Sequence, residues 1–105
     1  MYVEESLNRY VVALLRTTRS DSRLYLGASP RAGIALLRVA KARALADGRD
    51  YVSPDDVKSV AVPVLAHRLL LSAEAQIARR TTEAIVSEIV ASVAVPGDER
   101  RRRSG

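Results

Sequence analysis

The chain has 105 residues, of which 48% are hydrophobic and 28% are charged, and its formal net charge is +5. This length suits one domain with a single core and is too short for a catalytic domain joined to a second domain. Cysteine is absent, which excludes disulfides, thiolate metal sites and cysteine nucleophiles. No apolar run reaches the length of a membrane span and the N-terminus lacks a signal-peptide layout, so we expect a cytoplasmic protein with no membrane association.

The first predicted helix runs from about Val3 to Thr18. Its apolar residues recur at helical spacing and fall on one side of the helical circle, while charged residues occupy the remainder. Residues 19–29 follow without a clear period. We predict a loop there, with its apolar residues against the core.

The second predicted helix runs from Pro30 to Asp47. Ser29 is a favourable N-cap and Pro30 suits the first helical position. The helix is apolar around most of its circumference, so we expect it to be the central one. Arg31 lies in its first turn, where the helix dipole disfavours a cation by a few tenths to about 1 kcal/mol unless an anion is nearby.

One side of this helix carries both Arg31 and Arg38, which are seven residues apart, with small Ala35 and Ala42 beside them. The unpaired amides of the first turn, together with Arg31, form a favourable position for a phosphate group. The alternatives are a solvated Arg31, or an Arg31 paired with a carboxylate such as Asp50.

The segment after this helix contains a stop signal and a start signal. Gly48 suits a left-handed C-terminal position. Ser53 followed by Pro54 repeats the pattern of a cap and a first-turn proline, and Ser53 with Asp56 resembles a capping box. A third helix is therefore predicted to begin at Pro54.

Pro63 lies inside the third helical pattern. Because proline cannot donate a backbone hydrogen bond, we expect two short pieces, about 54–61 and 63–69. Residues 70–80 are less regular, and a last helix is predicted from about Thr82 to Val93.

These elements predict an all-α fold, a small bundle of four main helices with at most short extended segments. The bundle covers residues 1–96. Residues 97–105 contain four consecutive arginines and are predicted to form a disordered basic tail.

The sequence offers no set of catalytic or metal-binding residues. His67 is the only histidine, and we expect it to interact with carbonyls at the end of a helix. Four aspartates near the third helix are better explained by capping than by cation binding: Asp47, Asp50, Asp55 and Asp56. No phosphate-binding loop of the form GxxxxGK[ST] is present.

Three segments of the sequence together resemble the C-terminal lid of the MoxR family of AAA+ ATPases. They are "GASPRA" at 27–32, "GRDYVSPDDV" at 48–57 and "VLAHR" at 64–68. The likeness extends over nearly all of residues 3–96. The chain is similar to about the last third of a family member and does not include the large subdomain with its phosphate-binding loop.

The resemblance implies that Arg31 is a sensor-2 residue that reaches the terminal phosphates of ATP, supported by Ser29 and Pro30. ATP with Mg would be bound by the full-length protein, and the fragment alone would be neither an enzyme nor a nucleotide binder. The implied partners are the large subdomain and a neighbouring subunit of a ring, commonly a hexamer. Chaperone-like remodelling is implied too, often beside proteins with von Willebrand factor A domains.

Two other classes of function remain open at this point. The net charge, the Arg31 and Arg38 stripe and the arginine tail would suit a helical module that binds nucleic acid, although stacking aromatics are scarce. A protein-interaction bundle without a nucleotide role would leave Arg31 dispensable.

Overall fold

The computed structural model describes residues 5–24 and 30–95, without the side chain of Pro30. These residues form five helices: α1 (Glu5–Ser20), α2 (Pro30–Ala46), α3 (Pro54–Ala66), α4 (Ala73–Ile77) and α5 (Thr82–Ser92). In these ranges there is no β-strand, and a single antiparallel bridge joins Leu24 to Leu71. The predicted all-α class is confirmed, with one short helix more than the four expected.

Three of the predicted features lie outside the described residues. They are the start of the first helix at Val3, the N-cap Ser29 and the basic tail at 97–105. The described part of the first helix continues to Ser20, two residues past the predicted end.

Helix α3 occupies the middle of the bundle. Among the described helices, it packs against α1, α2 and α5, whereas α2 packs against α1 and α3. The expectation that the second helix would be central is therefore wrong. Apolar side chains from all five helices make up the core, and its largest fully buried members are Tyr10, Leu7, Leu14, Leu36, Leu65 and Ile85.

Three exposed apolar residues of α2 explain why the sequence suggested a central position. Ile34, Val39 and Leu45 are apolar but remain exposed. The helix is thus apolar nearly all round, yet the bundle covers only the side that carries Leu36, Ala40 and their neighbours. A helix with apolar residues around most of its circumference is buried only if other elements cover each side of it.

The turn after α2 has the predicted left-handed glycine. Gly48 has φ 77°, and its N–H donates to the carbonyl of Leu45 at 2.9 Å. The N–H of Arg49 donates to the carbonyl of Ala44, also at 2.9 Å. This pair of bonds closes the helix in the manner typical of a glycine C-terminus.

Helix α3 begins as predicted but is not divided at Pro63. The capping box of Ser53 and Asp56 is present, and the helix then continues unbroken from Pro54 to Ala66. The missing hydrogen bond would have gone to the carbonyl of Ser59, an exposed residue whose carbonyl can bond to water. Burial of the residues on both sides of the proline holds the helix together: Val57, Val60, Ala61, Leu65 and Ala66.

Helix α4 lies in the segment that we predicted to be irregular. Ser72 caps it by accepting from the N–H of Ala75 at 3.1 Å. Ala75 is its only buried residue, so the sequence carries no apolar period to reveal it. The helix ends at Ile77, and two residues later Arg79 adopts φ 58°, while the N–H of Arg80 donates to the carbonyl of Ala75 at 3.0 Å.

The last helix begins at Thr82, as predicted, and Thr81 caps it by accepting from the N–H of Ala84 at 3.1 Å. Helices α4 and α5 are linked to the α1–α2 loop by ion pairs. Arg23 pairs with Glu88 at 2.8 Å, and Arg80 also pairs with Glu88. Arg80, which precedes α5, is thus held by an acid of α5 itself.

Candidate functional site

Arg31 lies in the first turn of α2, as predicted, and its side chain is exposed. Among the described residues it has neither an ion pair nor a side-chain hydrogen bond. Asp50, which we considered as an alternative partner, is exposed and does not pair with it. Within this part of the chain Arg31 is therefore a solvated cation at the positive end of a helix, where it carries the electrostatic cost that the sequence indicated.

A shallow cleft of about 370 Å³ contains Arg31 together with Arg38 and Arg68. Between the guanidinium groups the cleft is lined by Ile34, Ala35 and Val39. The first two arginines come from one face of α2, as their spacing predicted. The third follows the end of α3 and reaches the same cleft because α3 packs along α2.

Sequence reasoning missed Arg68. It lies in the "VLAHR" segment, which we used only as a sign of resemblance. The available signal was a charged residue directly after the end of a helix, where a side chain is free to extend across a neighbouring element. The contact between α2 and α3 could not be read from the spacing of residues along the chain.

The cleft has a uniform sign of charge. In the part of the chain that the structure describes, its lining includes three arginines and no acidic residue, and Arg38 and Arg68, like Arg31, have no ion pair there. Guanidinium groups bind carboxylates and phosphates through two parallel hydrogen bonds. Together with the dipole of α2, which points its positive end at Arg31, this arrangement favours an anionic ligand with several oxygen atoms.

The acids around the α2–α3 turn, at the opposite end of α2 from Arg31, form contacts within the fold. Asp56 is buried, and it accepts two hydrogen bonds from Arg49, from Nη1 at 2.7 Å and from Nη2 at 2.5 Å. It also accepts from the backbone N–H of Ser53 at 2.8 Å. Asp47 accepts from the same guanidinium at 3.0 Å. The prediction that these acids serve as caps is confirmed for Asp56, and Arg49 is the partner that the sequence did not reveal.

These contacts shift the pKa of Asp56. The hydrogen bonds from Arg49 lower it to about 2, and the amide and hydroxyl of Ser53 act in the same direction, although burial opposes them. The pKa values of Asp21 and Glu88 are lowered as well, in each case chiefly by Arg23. All three carboxylates are therefore charged at neutral pH and pair with cations of the bundle itself.

His67 has a structural position. It is the C-cap residue of α3, and its backbone N–H donates to the carbonyl of Leu65. The predicted contact of its imidazole with terminal carbonyls is not found among the hydrogen bonds of the described residues.

The described residues contain neither a grouped metal site nor a membrane-spanning helix. No three or more His, Cys, Asp or Glu residues there are grouped so that they could hold a metal ion. In the same ranges, no helix is both long and apolar enough to cross a bilayer.

Known proteins similar to this chain share the lid region. The family model described as the AAA lid domain matches residues 16–89. The chain is 43% identical over 93 residues to the uncharacterized protein YeaC of Bacillus subtilis, covering 89% of this chain and 29% of that protein. It is 36% identical over 104 residues to the chaperone MoxR1 of Mycobacterium tuberculosis, covering 90% of this chain and 28% of that protein.

A solved structure agrees with these sequence matches. The crystal structure of a candidate ATPase from Cytophaga hutchinsonii superimposes with a TM-score of 0.81 at 37% identity, covering 89% of this chain and 31% of that one. This chain thus spans less than a third of the length of each of these three proteins. The matches do not favour the nucleic-acid-binding alternative. The chain belongs to the AAA lid domain family, as a lid of the kind found in MoxR-family AAA+ ATPases.

Proposed function

We propose that Arg31 acts as a sensor-2 residue, which contacts the terminal phosphates of ATP bound on a large subdomain outside this chain. The observation that supports this proposal is the exposed Arg31 guanidinium in the first turn of α2, unpaired among the described residues and beside Arg38 and Arg68. Ser29 and Pro30 would support the contact by fixing where the helix begins.

The residues of the cleft fit a phosphate group. A cation that destabilises its own helix end gains most from an anion placed there, because the anion interacts favourably with both the guanidinium and the helix dipole. ATP with Mg would supply the phosphoryl group that is transferred to water. The lid would supply Arg31 for the phosphate oxygens, and the phosphate-binding loop and metal ligands would come from the large subdomain.

The proposed mechanism is positional. An arginine on a separate rigid bundle that engages the phosphate couples the state of the nucleotide to the angle between lid and large subdomain. When the terminal phosphate is lost, the contact is lost with it, and the lid is free to move. The compact core around α3 lets the bundle move as one body.

The wider setting is proposed from the relatives. One relative is named a chaperone, and we propose chaperone-like remodelling by a cytoplasmic ring, commonly of six subunits. In such a ring Val39 and Leu45, which are apolar and exposed on α2, would be covered by the large subdomain or by a neighbour. Proteins with von Willebrand factor A domains are the proposed partners.

The test is the substitution Arg31→Ala in the full-length ATPase. Turnover of ATP should fall by about tenfold or more, as expected for the loss of a charged contact to a reacting phosphate. The melting temperature should not fall, since the side chain is exposed and its charge is unfavourable in the first turn of α2. Arg43→Ala, on the same helix but outside the cleft, is the matched control and should keep wild-type turnover. Unchanged turnover in Arg31→Ala would refute the proposal.

A further inference from the structure

A second concave surface, the α1–α2 groove, lies beside the Arg31 cleft. It has a volume of about 430 Å³, and Val11, Leu15 and Gly33 are among the residues that line it. Val12 of α1 and Ile34 of α2 line it as well, and they are 46% and 58% exposed. The groove therefore presents apolar side chains from both helices to solvent, which is typical of an interaction site.

Gly33 explains why the groove has an apolar floor. A Cβ atom at this position would lie 3.0 Å from Cδ1 of Leu15 and 3.6 Å from Cγ1 of Val11. The backbone of α2 therefore packs closely on the side chains of α1, since the space that a side chain of residue 33 would need is already occupied by Leu15 and Val11. This close approach leaves the floor of the groove apolar.

The border of the groove is positively charged. Arg16 and Arg19 of α1 line it, and none of the described residues that line it is acidic. Arg16 is exposed and has no ion pair among the described residues. On the other side, Ile34 is shared with the cleft that contains Arg31 and Arg38. An apolar strip is thus flanked by cations on both helices.

We propose that the α1–α2 groove binds an acidic amphipathic helix of a partner protein. The apolar stripe of that helix would pack on Val12, Gly33 and Ile34, and its flanking carboxylates would pair with Arg16 and Arg38. The α1 side of the lining extends over residues 8–19, roughly 17 Å at the helical rise, which matches about three turns of a bound helix.

Two features favour a separate protein over other occupants. Arginine is enriched at protein interfaces, and permanent interfaces are more apolar than this arginine-flanked groove. A membrane surface or a nucleic acid would be attracted by the arginines alone and would not require an apolar floor between two helices. The apolar floor and the flanking arginines together favour an acidic amphipathic helix.

The probe for the test is a synthetic helical peptide of about 16 residues, with leucines at i, i+3, i+4 and i+7 and glutamates on both flanks. Fluorescence anisotropy with the 105-residue chain should give saturable binding with a Kd of about 10–100 μM. Two control peptides replace either all flanking glutamates by glutamine or all leucines by serine. Each control should bind about tenfold more weakly or worse.

Matched protein variants locate the binding surface. Ile34→Ser should weaken binding about tenfold, and Arg16→Gln about threefold to fivefold. The controls are Ile77→Ser on α4 and Arg43→Gln on α2, which replace the same residue types outside the groove and should leave Kd within about twofold. All four positions are exposed, so the variants should keep the wild-type urea midpoint.

The absence of saturable binding at millimolar peptide would overturn the proposal. So would equal binding by the glutamine peptide or the serine peptide, or an Ile34→Ser variant that binds like Ile77→Ser. Tighter binding of a DNA duplex or of anionic vesicles, weakened equally by Ile34→Ser, would assign the groove to that ligand instead. None of these measurements uses nucleotide, so their outcome is independent of the sensor-2 proposal.

Discussion

Arg49 and Asp56 form a two-point ion pair that ties the α2–α3 turn to the first turn of α3. Both terminal nitrogens of Arg49 donate, to Oδ2 at 2.7 Å and to Oδ1 at 2.5 Å, and the carboxylate is almost fully buried. The same carboxylate closes the capping box with Ser53. One acid therefore fixes both the start of α3 and its position against α2, and these are the two helices that form the Arg31 cleft.

The first prediction concerns this carboxylate. Asp56→Ala should lower the free energy of unfolding by about 2–4 kcal/mol, because it removes the cap and leaves Arg49 without its main partner. Urea unfolding followed by circular dichroism measures the change. Asp55→Ala is the control, since Asp55 is an exposed acid in the same helical turn, and its cost should be within about 0.5 kcal/mol. Equal costs for the two variants would contradict the role of the ion pair.

The second prediction concerns the dependence of stability on pH. The pKa of Asp56 is about 2 in the folded protein, against 3.8 for a free side chain. A carboxyl group whose pKa is lower in the folded than in the unfolded state stabilises the protein at pH values above the unfolded-state pKa. This contribution is lost as the pH falls from about 4 toward 2.

Urea midpoints measured between pH 2 and pH 7 test it. The wild type should lose stability over the acid range, and Asp56→Asn should lose less, because Asn carries no titrating group. Asp21 and Glu88 also have lowered pKa values, so some acid dependence should persist in the variant. Parallel curves for the two proteins would contradict the assignment to Asp56.

The third prediction uses the backbone of Arg79, which follows α4 with φ 58°. A side chain in this left-handed conformation is strained, whereas glycine is not. Arg79→Gly should therefore raise the free energy of unfolding by about 0.5–1 kcal/mol. The neighbouring Ala78 has φ −76°, and Ala78→Gly should lower stability instead. If both substitutions were destabilising, the conformation of Arg79 would not be the cause.

The fourth prediction separates the lid from a nucleic-acid-binding module. The 105-residue chain should hydrolyse no ATP and should bind it with a Kd no tighter than about 1 mM, since few contacts are available without a phosphate-binding loop. Any affinity for duplex DNA should depend steeply on salt and should disappear when residues 98–105 are removed. Micromolar ATP binding would contradict the first part, and tail-independent DNA binding would contradict the second.

Local signals in the sequence determined most of the helices. The cap of α3 at Ser53, the left-handed Gly48 and the start of α5 at Thr82 were predicted correctly because each depends on residues within one turn. Arg31 was likewise predicted to lie in the first turn of a helix, and the structure leaves it exposed. Its role toward a phosphate remains a prediction.

Tertiary packing decided what the sequence left open or indicated wrongly. Burial on both sides of Pro63 keeps α3 continuous despite the proline. Helix α4 has a single buried residue, Ala75, so its sequence carries no apolar period. Arg68 reaches the Arg31 cleft only because α3 lies along α2, and Arg49 meets Asp56 only across the turn between those helices. Spacing along the chain fixes the face of a helix on which a residue lies, whereas the contacts between faces depend on how the helices pack.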